Sequence, residues 1–323
     1  MIARYLEYIV ALARERHFAR AAAACNVTQS TLSTGIKQLE ESLGVLIVER
    51  RQRFVGLTPE GERVLAWARR ILADYRGLEQ ELTETREGLV GELRIGGIPV
   101  GLPALGLLTA RFAAKHPRAR FQIVSQSSRE IQRGLDEFSI DVGVTYLDND
   151  PLSRVRTVEL YRERYVLITH RTDSLGTRKS ATWAEAATLP LCLLTPSMQN
   201  RRILDSYFHQ AGVDVRTVME TNSLVTLWSH VRFGPWSTVV PHTFLLMLGE
   251  PAHLVAIPLT DPEGTHAVGL VASFRDPLTP LTHALLTFSA DVSLGEDIDG
   301  HTDATWRPRG REHRTDRRRQ SMQ

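Results

Sequence analysis

Three helical patterns crowd into residues 2–43, and the connections between them are too short to let the helices part. Leu6, Ile9, Val10 and Ala13 recur at helical spacing over residues 2–14. A shorter helix is expected over Phe18–Cys25, followed by the tight Asn26-Val27 connection, where asparagine tolerates the left-handed backbone that closes a turn. A third starts at Thr28, with Leu32, Ile36, Leu39 and Leu43 on one face and Gly44 to end it. Two short helices about so brief a turn, the second polar on its outer face, predict a helix-turn-helix.

Residues 47–57 are β-rich, and alternation around a tight bend exposes Arg50, Arg51 and Arg53, a basic wing. Thr58-Pro59 then opens a long helix, with threonine as N-cap and proline at its first position. Along it Val64, Ala68, Ile71, Tyr75, Leu78 and Leu82 recur at spacings of four and three, a seam suited to pairing with another copy of the same helix. Gly88 and Gly91 end it and mark a hinge. From Glu92 onward strands alternate with helices, as in α/β domains with open sheets. Strands are expected near residues 93–96, 121–125, 140–146, 164–169, 191–194, 218–220, 238–240 and 267–274. Beyond Val292 the composition turns polar and then arginine-rich, and residues 294–323 read as a disordered basic tail.

Bulk properties fit this division without naming a partner. The 323 residues carry a net charge of only +2, so a case for nucleic acid has to be made locally. No segment reaches the roughly 18 uninterrupted apolar residues of a membrane span, and Arg4 and Glu7 interrupt the apolar run a secretory leader needs. No membrane partner is expected, and the chain reads as cytoplasmic. Of the two cysteines, Cys25 sits in an alanine-rich run as a small buried thiol, and Cys192 lies far away in sequence.

The first ninety residues resemble the DNA-binding module of the LysR-type transcriptional regulators. The likeness rests on Phe18-Ala19-Arg20-Ala21-Ala22, Val27-Thr28-Gln29-Ser30-Thr31-Leu32-Ser33, Ile36-Lys37-Gln38-Leu39-Glu40, Leu43-Gly44-Val45, Glu49-Arg50 and Leu57-Thr58-Pro59-Glu60-Gly61. It continues more loosely to about residue 292, with landmarks at Gly91–Gly96, His116-Pro117, Leu135 and Ile140-Asp141-Val142-Gly143. The resemblance implies a winged helix-turn-helix over 1–58, a linker and dimerisation helix over 59–90, and an effector-binding domain over 91–293. That domain would comprise two α/β subdomains of the periplasmic-binding-protein type, 92–163 with 270–292, and 164–269, crossing near Arg162–Tyr165 and Val268–Val271. The implied partners are an interrupted palindrome in promoter DNA, a small-molecule effector and the chain itself, as homodimer or homotetramer, with RNA polymerase a further candidate. No cofactor and no metal is expected.

The third helix should meet the major groove through Thr28, Gln29, Ser30, Thr31, Ser33, Thr34 and Lys37, with Gln29 matched to adenine and the wing arginines to phosphates. Thr28 has a second role as N-cap. Thr34 stands where an arginine is common in the family, and Gly35 beside it allows either close approach to DNA or close helix packing.

Ligands of open α/β sheets bind beyond the carboxyl ends of strands. Four loops there supply candidates: Ile98, Pro99 and Val100; Ser127 and Ser128, with Ser127 and Glu130 fitting a capping box; Thr195, Ser197, Asn200 and Arg201; and Asn222 and Ser223. Hydroxyls, amides and Arg201 suit a small carboxylate. The residues around Met198–Arg202, Thr221–Leu224 and Trp236–His242 resemble LysR members associated with formate oxidation genes.

Competing classes leave distinct traces. An enzyme would show a nucleophile elbow, a phosphate-cradling loop or paired metal ligands, and none is present in the sequence. A solute-binding module without regulatory role would carry no helix-turn-helix. A thiol-based redox regulator would depend on Cys192.

Overall fold

The computed structural model describes residues 2–50, 54–247 and 253–306, with the side chains of Arg50, Phe54, 85–87 and 303–306 left aside. Helices α1 (Ile2–Glu15), α2 (Phe18–Ala24) and α3 (Gln29–Leu43) are followed by a two-stranded wing, β1 (Val48–Arg50) and β2 (Phe54–Leu57). Leu6, Ile9, Leu12, Leu32, Ile36 and Leu39 are buried together as the core the periodicity marks out. Asn26 takes the left-handed backbone at φ 53°, and Gly44 closes α3 at φ 67°. Glu40 of α3 is buried and accepts the N–H groups of Ile47 (2.9 Å) and Val48 (3.1 Å), which fixes the wing to that helix.

Helix α4 (Pro59–Glu87) is 29 residues long. Its inner face, Leu65, Ala68 and Leu72, packs into the helix-turn-helix core, and Val64 is half-buried against it. Its outer face leaves Trp67, Ile71, Tyr75, Leu78 and Leu82 exposed by 45–63%. The expected seam thus divides between two faces. Ala68 and Val64 serve the chain's own core, and Trp67 takes their place on the outer stripe.

Beyond α4 the described residues form a five-stranded, a four-stranded and a two-stranded sheet. Strands β3 (Gly91–Gly97), β4 (Ala119–Ser125), β5 (Val142–Tyr146) and β6 (Val155–Glu163), with α5 (Leu102–Lys115) and α6 (Ser128–Asp136) between them, belong to subdomain I. The chain crosses at Arg164 into β7 (Tyr165–His170), β8 (Ala181–Thr182), α7 (Trp183–Ala186), β9 (Leu191–Leu194), α8 (Gln199–Gln210), β10 (Thr217–Thr221), α9 (Leu224–Phe233), β11 (Thr238–Pro241) and β12 (Leu254–Thr260) of subdomain II. It returns as β13 (His266–Ser273), followed by α10 (Pro280–Ala290) and α11 (Leu294–Trp306). Subdomain I has the order β4-β3-β5-β13-β6. Subdomain II has β11-β7-β12-β8 beside β10-β9, and a bridge between Leu191 and Ser237 ties the two sets together.

Two expectations need correction. The return crossing lies between Thr260 and His266, not at Val268–Val271, because β13 is already paired with β6 from His266 and with β5 from Val268. The polar tail does not begin at 294: α11 buries Leu294 and Ile298 completely, and Arg164 binds Asp299 at 2.6 Å. Residues 307–323, the arginine-rich part, lie outside the described residues. Strands β6, β8 and β12 were not expected. Among the described residues no helix is long and apolar enough to cross a membrane.

Gly35 decides between its two readings. It is buried, and a Cβ there would stand 2.7 Å from Tyr8 Cε2 and 2.9 Å from Tyr5 Cδ1, so the glycine serves the packing of α3 on α1. Tyr8 is 2% exposed and has little room to yield. Gly35→Ala is therefore expected to destabilise the N-terminal domain by about 1–3 kcal/mol of overpacking, despite alanine's advantage of about 1 kcal/mol in a helix. Urea unfolding followed at α1–α3 checks this; a raised midpoint would mean that the tyrosines relax freely.

Candidate nucleic-acid interface and effector cleft

Helix α3 separates apolar from polar residues as a recognition helix must. Thr28, Gln29, Ser30, Thr31, Thr34 and Lys37 are exposed and Ser33 is half-buried, while Leu32, Gly35 and Ile36 face inward. Thr28 caps the helix by accepting the Thr31 N–H at 3.2 Å, and its hydroxyl also joins those of Ser30 (2.9 Å) and Thr31 (2.8 Å). The first turn thereby presents free N–H groups and a cluster of hydroxyls at one end of the helix, a natural seat for a phosphate. Lys37 stands 3.6 Å from Glu41 and is 68% exposed, a loose pair that leaves the ammonium free to turn to another anion. In the wing, Arg50 ends β1 opposite Phe54. Arg51, Arg53 and the Arg50 side chain lie outside the description.

The four loops expected to meet an effector lie, as argued, between strand ends and helix starts. Within each subdomain they come together in pairs. Gln126 donates its backbone N–H to Gly97 O at 2.9 Å, and Thr195 does the same to Thr221 O at 2.9 Å. Their individual roles differ from the expectation. Ile98, Pro99 and Val100 are buried, and the Ile98 N–H is already committed to Val144 O at 3.0 Å. Ser127 forms a complete capping box with Glu130, whose carboxyl the Ser127 N–H holds below the usual carboxylate range. Ser223 caps α9, and Thr195 and Ser197 share a hydrogen bond at 3.0 Å. Asn222 is exposed. Arg201 is not free for a ligand anion: it binds Asp205 and Glu220, each at 2.7 Å, and also donates to Leu194 O at 2.9 Å.

What closes the cleft is a neutral polar network. From the first turn of α8, Asn200 donates to the Tyr146 hydroxyl at 3.0 Å, and Gln199 accepts from Thr145 at 3.4 Å and donates to Asn149 O. Beyond them Thr243 donates to Val100 O at 3.5 Å. Behind Tyr146 stands Glu163, wholly buried at the crossover, accepting from Tyr146 at 2.6 Å and Tyr161 at 3.4 Å. Burial pushes its carboxyl up to about 8, against the pull of those two hydroxyls. The same burial, reinforced by Glu163, drives the Tyr146 and Tyr161 phenols well above their ordinary range. Thr145, Tyr146, Glu163 and Gln199 were not among the expected residues. The run after β9 pointed to Gln199, but the other three sit inside strands, where only the crossover brings them to the cleft.

Comparison with known proteins agrees with this fold. The family described as the bacterial regulatory helix-turn-helix protein, lysR family, matches residues 3–62, and the LysR substrate binding domain matches residues 86–293. The DNA-binding transcriptional dual regulator OxyR of Escherichia coli (strain K12) is 29% identical over 301 residues, covering 93% of this chain and 97% of that protein. A probable hydrogen peroxide-inducible genes activator of Streptomyces viridosporus is 32% identical over 242 residues, covering 74% of this chain and 77% of that protein. Among solved structures, a full-length OxyR variant from Pseudomonas aeruginosa superposes with a TM-score of 0.73 at 26% identity, over 92% of this chain and 97% of that one. CbnR complexed with its target DNA shares the fold, with a TM-score of 0.65 at 23% identity over 90% of this chain and 99% of that one. The chain belongs to the LysR family of DNA-binding transcription regulators, proteins that work by binding rather than by catalysis.

Proposed function

We propose that the chain binds an interrupted palindrome in promoter DNA as a cytoplasmic homodimer and responds to a small carboxylate in the cleft between subdomains I and II. The observation that carries the DNA reading is the exposed row from Thr28 to Lys37 on a helix whose other side is fully packed. Self-association is supported by the exposed stripe Trp67, Ile71, Tyr75, Leu78 and Leu82 on α4, a run of apolar side chains that a monomer would leave in water. Further exposed apolar residues lie on edge strands of both subdomains, Ile123 and Val124 on β4 and Val218 on β10, which favours pairing of effector domains and tetramers.

Neutral donors carry the effector reading. With Arg201 held by two carboxylates, an acid entering the cleft would meet Asn200, Gln199, Thr145 and Ser128 around the starts of α8 and α6, where helix N-termini favour a negative group. It would have to displace the bonds that now span the cleft. The segments resembling formate-linked regulators give no separate support, since Trp236 stacks on His230 and Arg201 is paired.

Relatives named as activators of hydrogen peroxide-inducible genes raise thiol chemistry as a second reading. This chain's cysteines do not favour it. Cys192 is wholly buried in β9, and desolvation pushes its thiol up to about 11, leaving little thiolate at neutral pH. Cys25 packs with the helix-turn-helix core, away from the effector-domain core that holds Cys192, so the two do not face each other.

Fluorescence anisotropy on DNA from upstream of the chain's own gene tests the first reading. Gln29→Ala is expected to lose about 1–3 kcal/mol on the specific site and little on random duplex, whereas Lys37→Ala weakens both and lowers the salt slope by about 1. Equal binding of wild type to both duplexes sinks the proposal. For the effector, a series of small carboxylates should raise the melting temperature saturably, and Asn200→Ala should weaken the responding acid by about tenfold. A response untouched by Asn200→Ala places the ligand elsewhere.

Glu163 adds a pH signature. Unfolded, its carboxyl titrates near 4.5; folded, at about 8. Between those values the folded chain holds a proton that the unfolded chain has released. The contribution is therefore complete below about 4.5 and is lost as pH rises through about 8. Thermal unfolding between pH 5 and 8 should show this decline in wild type and a flatter profile in Glu163→Gln. An identical slope in the variant would mean that Glu163 is ionised in the folded chain.

A further inference from the structure

Where α4 leaves the N-terminal domain it runs along subdomain I and closes over a cavity of about 290 Å³, separate from both the recognition helix and the cleft. Three arginines line it from three parts of the chain: Arg76 on α4, Arg94 on β3 and Arg275 just after β13. Arg94 is matched, with Nη2 at 2.6 Å and Nε at 3.0 Å from the two oxygens of Asp141. The other two are held more loosely, Arg275 by the Phe138 ring at 5.7 Å and a long ion pair. Arg76 is exposed to solvent along part of its length and reaches only as far as a backbone carbonyl, Phe138 O, at 3.4 Å. Arg275 Nη1 is buried and makes no hydrogen bond; the Asp74 carboxylate stands 3.6 Å away, itself 58% exposed. Gln80 Oε1, also from α4, is buried in the same wall and equally unmatched. The remaining acid in the lining, Glu92, is exposed to solvent.

A guanidinium does not shed its proton to escape such a place. Buried donors without acceptors cost free energy, and like charges held close in a partly dry pocket add to it. Burial holds both Arg76 and Arg275 below their ordinary range; the other arginines add to this at Arg76, whereas at Arg275 the Asp74 and Asp141 carboxylates pull the other way more strongly than Arg94 pushes. The space far exceeds the roughly 30 Å³ share of one water, and its lining draws on both α4 and subdomain I.

We propose that this cavity is a second anion site, taking a tetrahedral oxyanion of phosphate or sulfate size between the Arg76 and Arg275 guanidiniums. The Gln80 amide, turned to present its NH₂, is a third donor. An occupied site ties α4 to subdomain I through charge-assisted bonds, and so stiffens the joint between the effector domain and the DNA-binding domain that α4 carries.

The full chain, without DNA, is titrated with inorganic phosphate, sulfate, acetate and chloride at matched ionic strength, read by calorimetry and by hydrogen exchange along residues 73–84. Saturable binding of phosphate or sulfate is expected, with slowed exchange in that stretch. Arg76→Gln and Arg275→Gln should each weaken binding about tenfold or more. Arg275→Lys, which keeps the charge and loses the fork, should fall between wild type and Arg275→Gln. Lys37→Ala and Asn200→Ala should leave it unchanged, which separates this site from the DNA surface and from the cleft. Should the glutamine variants fail to fold, Arg275→Lys and Gln80→Leu carry the comparison. Binding that does not saturate, is matched by chloride, or survives unchanged in the arginine and Gln80 variants overturns the proposal. Acetate binding that is stronger than that of either tetrahedral ion and is weakened by Arg76→Gln and Arg275→Gln, not by Asn200→Ala, overturns its stated ligand class.

Discussion

The hydroxyl of Thr58 sets the direction of the helix from which both halves of the molecule hang. It accepts the Gly61 N–H at 2.9 Å to cap α4 and donates to Leu46 O at 2.6 Å, so one side chain joins the helix start to the root of the wing. Gly61 lets that first turn touch the backbone: a Cβ there would come within 2.1 Å of Ile47 O. Glu40 holds the other side of the same residues through the N–H groups of Ile47 and Val48. Recognition helix, wing and linker helix are thereby fixed to one another within a few residues of backbone. Whatever turns α4 turns the DNA-reading surface with it.

Polar burial plays the opposite role at the other end. The cleft of the effector domain is shut by amides, phenols and one carboxyl rather than by interleaved aliphatic side chains. Such bonds stabilise modestly when made and are costly to leave unmade. For the proposed effector to open such a cleft it would have to supply equivalent partners. Glu163 fits the same logic: held neutral at the crossover, it needs no counter-ion that a moving subdomain would have to carry along.

Local features of the chain were legible because local chemistry determines them. The Thr28 and Thr58 caps, the left-handed Asn26, the Ser127–Glu130 capping box and the glycine stop at Gly44 all depend on neighbours within four residues. Facing partners were not legible. Periodicity identified an apolar α4 but could not tell that α1 would take Ala68 while Trp67 stayed outside, since both spacings are helical. Arg201 looked free to bind an anion because Glu220, on the neighbouring strand β10, reaches it only through the pairing of β9 with β10, although Asp205 one helix turn on was a local partner in plain view. The second crossing was misplaced because β13 is apolar throughout and suits either sheet; only its pairing with β5 and β6 assigns it. In α11, two buried positions, Leu294 and Ile298, outweigh a polar composition because they dock on a surface made by distant segments.

The contacts of α4 also limit how an effector signal can travel. Beyond the N-terminal domain the helix touches Glu137, Phe138, Arg275 and α10, and each of these belongs to subdomain I. Were the proposed effector to open or close the cleft, subdomain II would move relative to subdomain I, yet a rigid-body motion of that kind would leave the α4–subdomain I contacts of the same chain as they are. A change in the cleft alone is therefore invisible to the recognition helix it shares a chain with. It becomes visible once a second chain touches subdomain II, because the two α4 helices are then held at a spacing that depends on the cleft angle. Under the proposed function, self-association through the exposed α4 stripe and the subdomain edges would thus be a condition for regulation as well as for reading both halves of a palindrome.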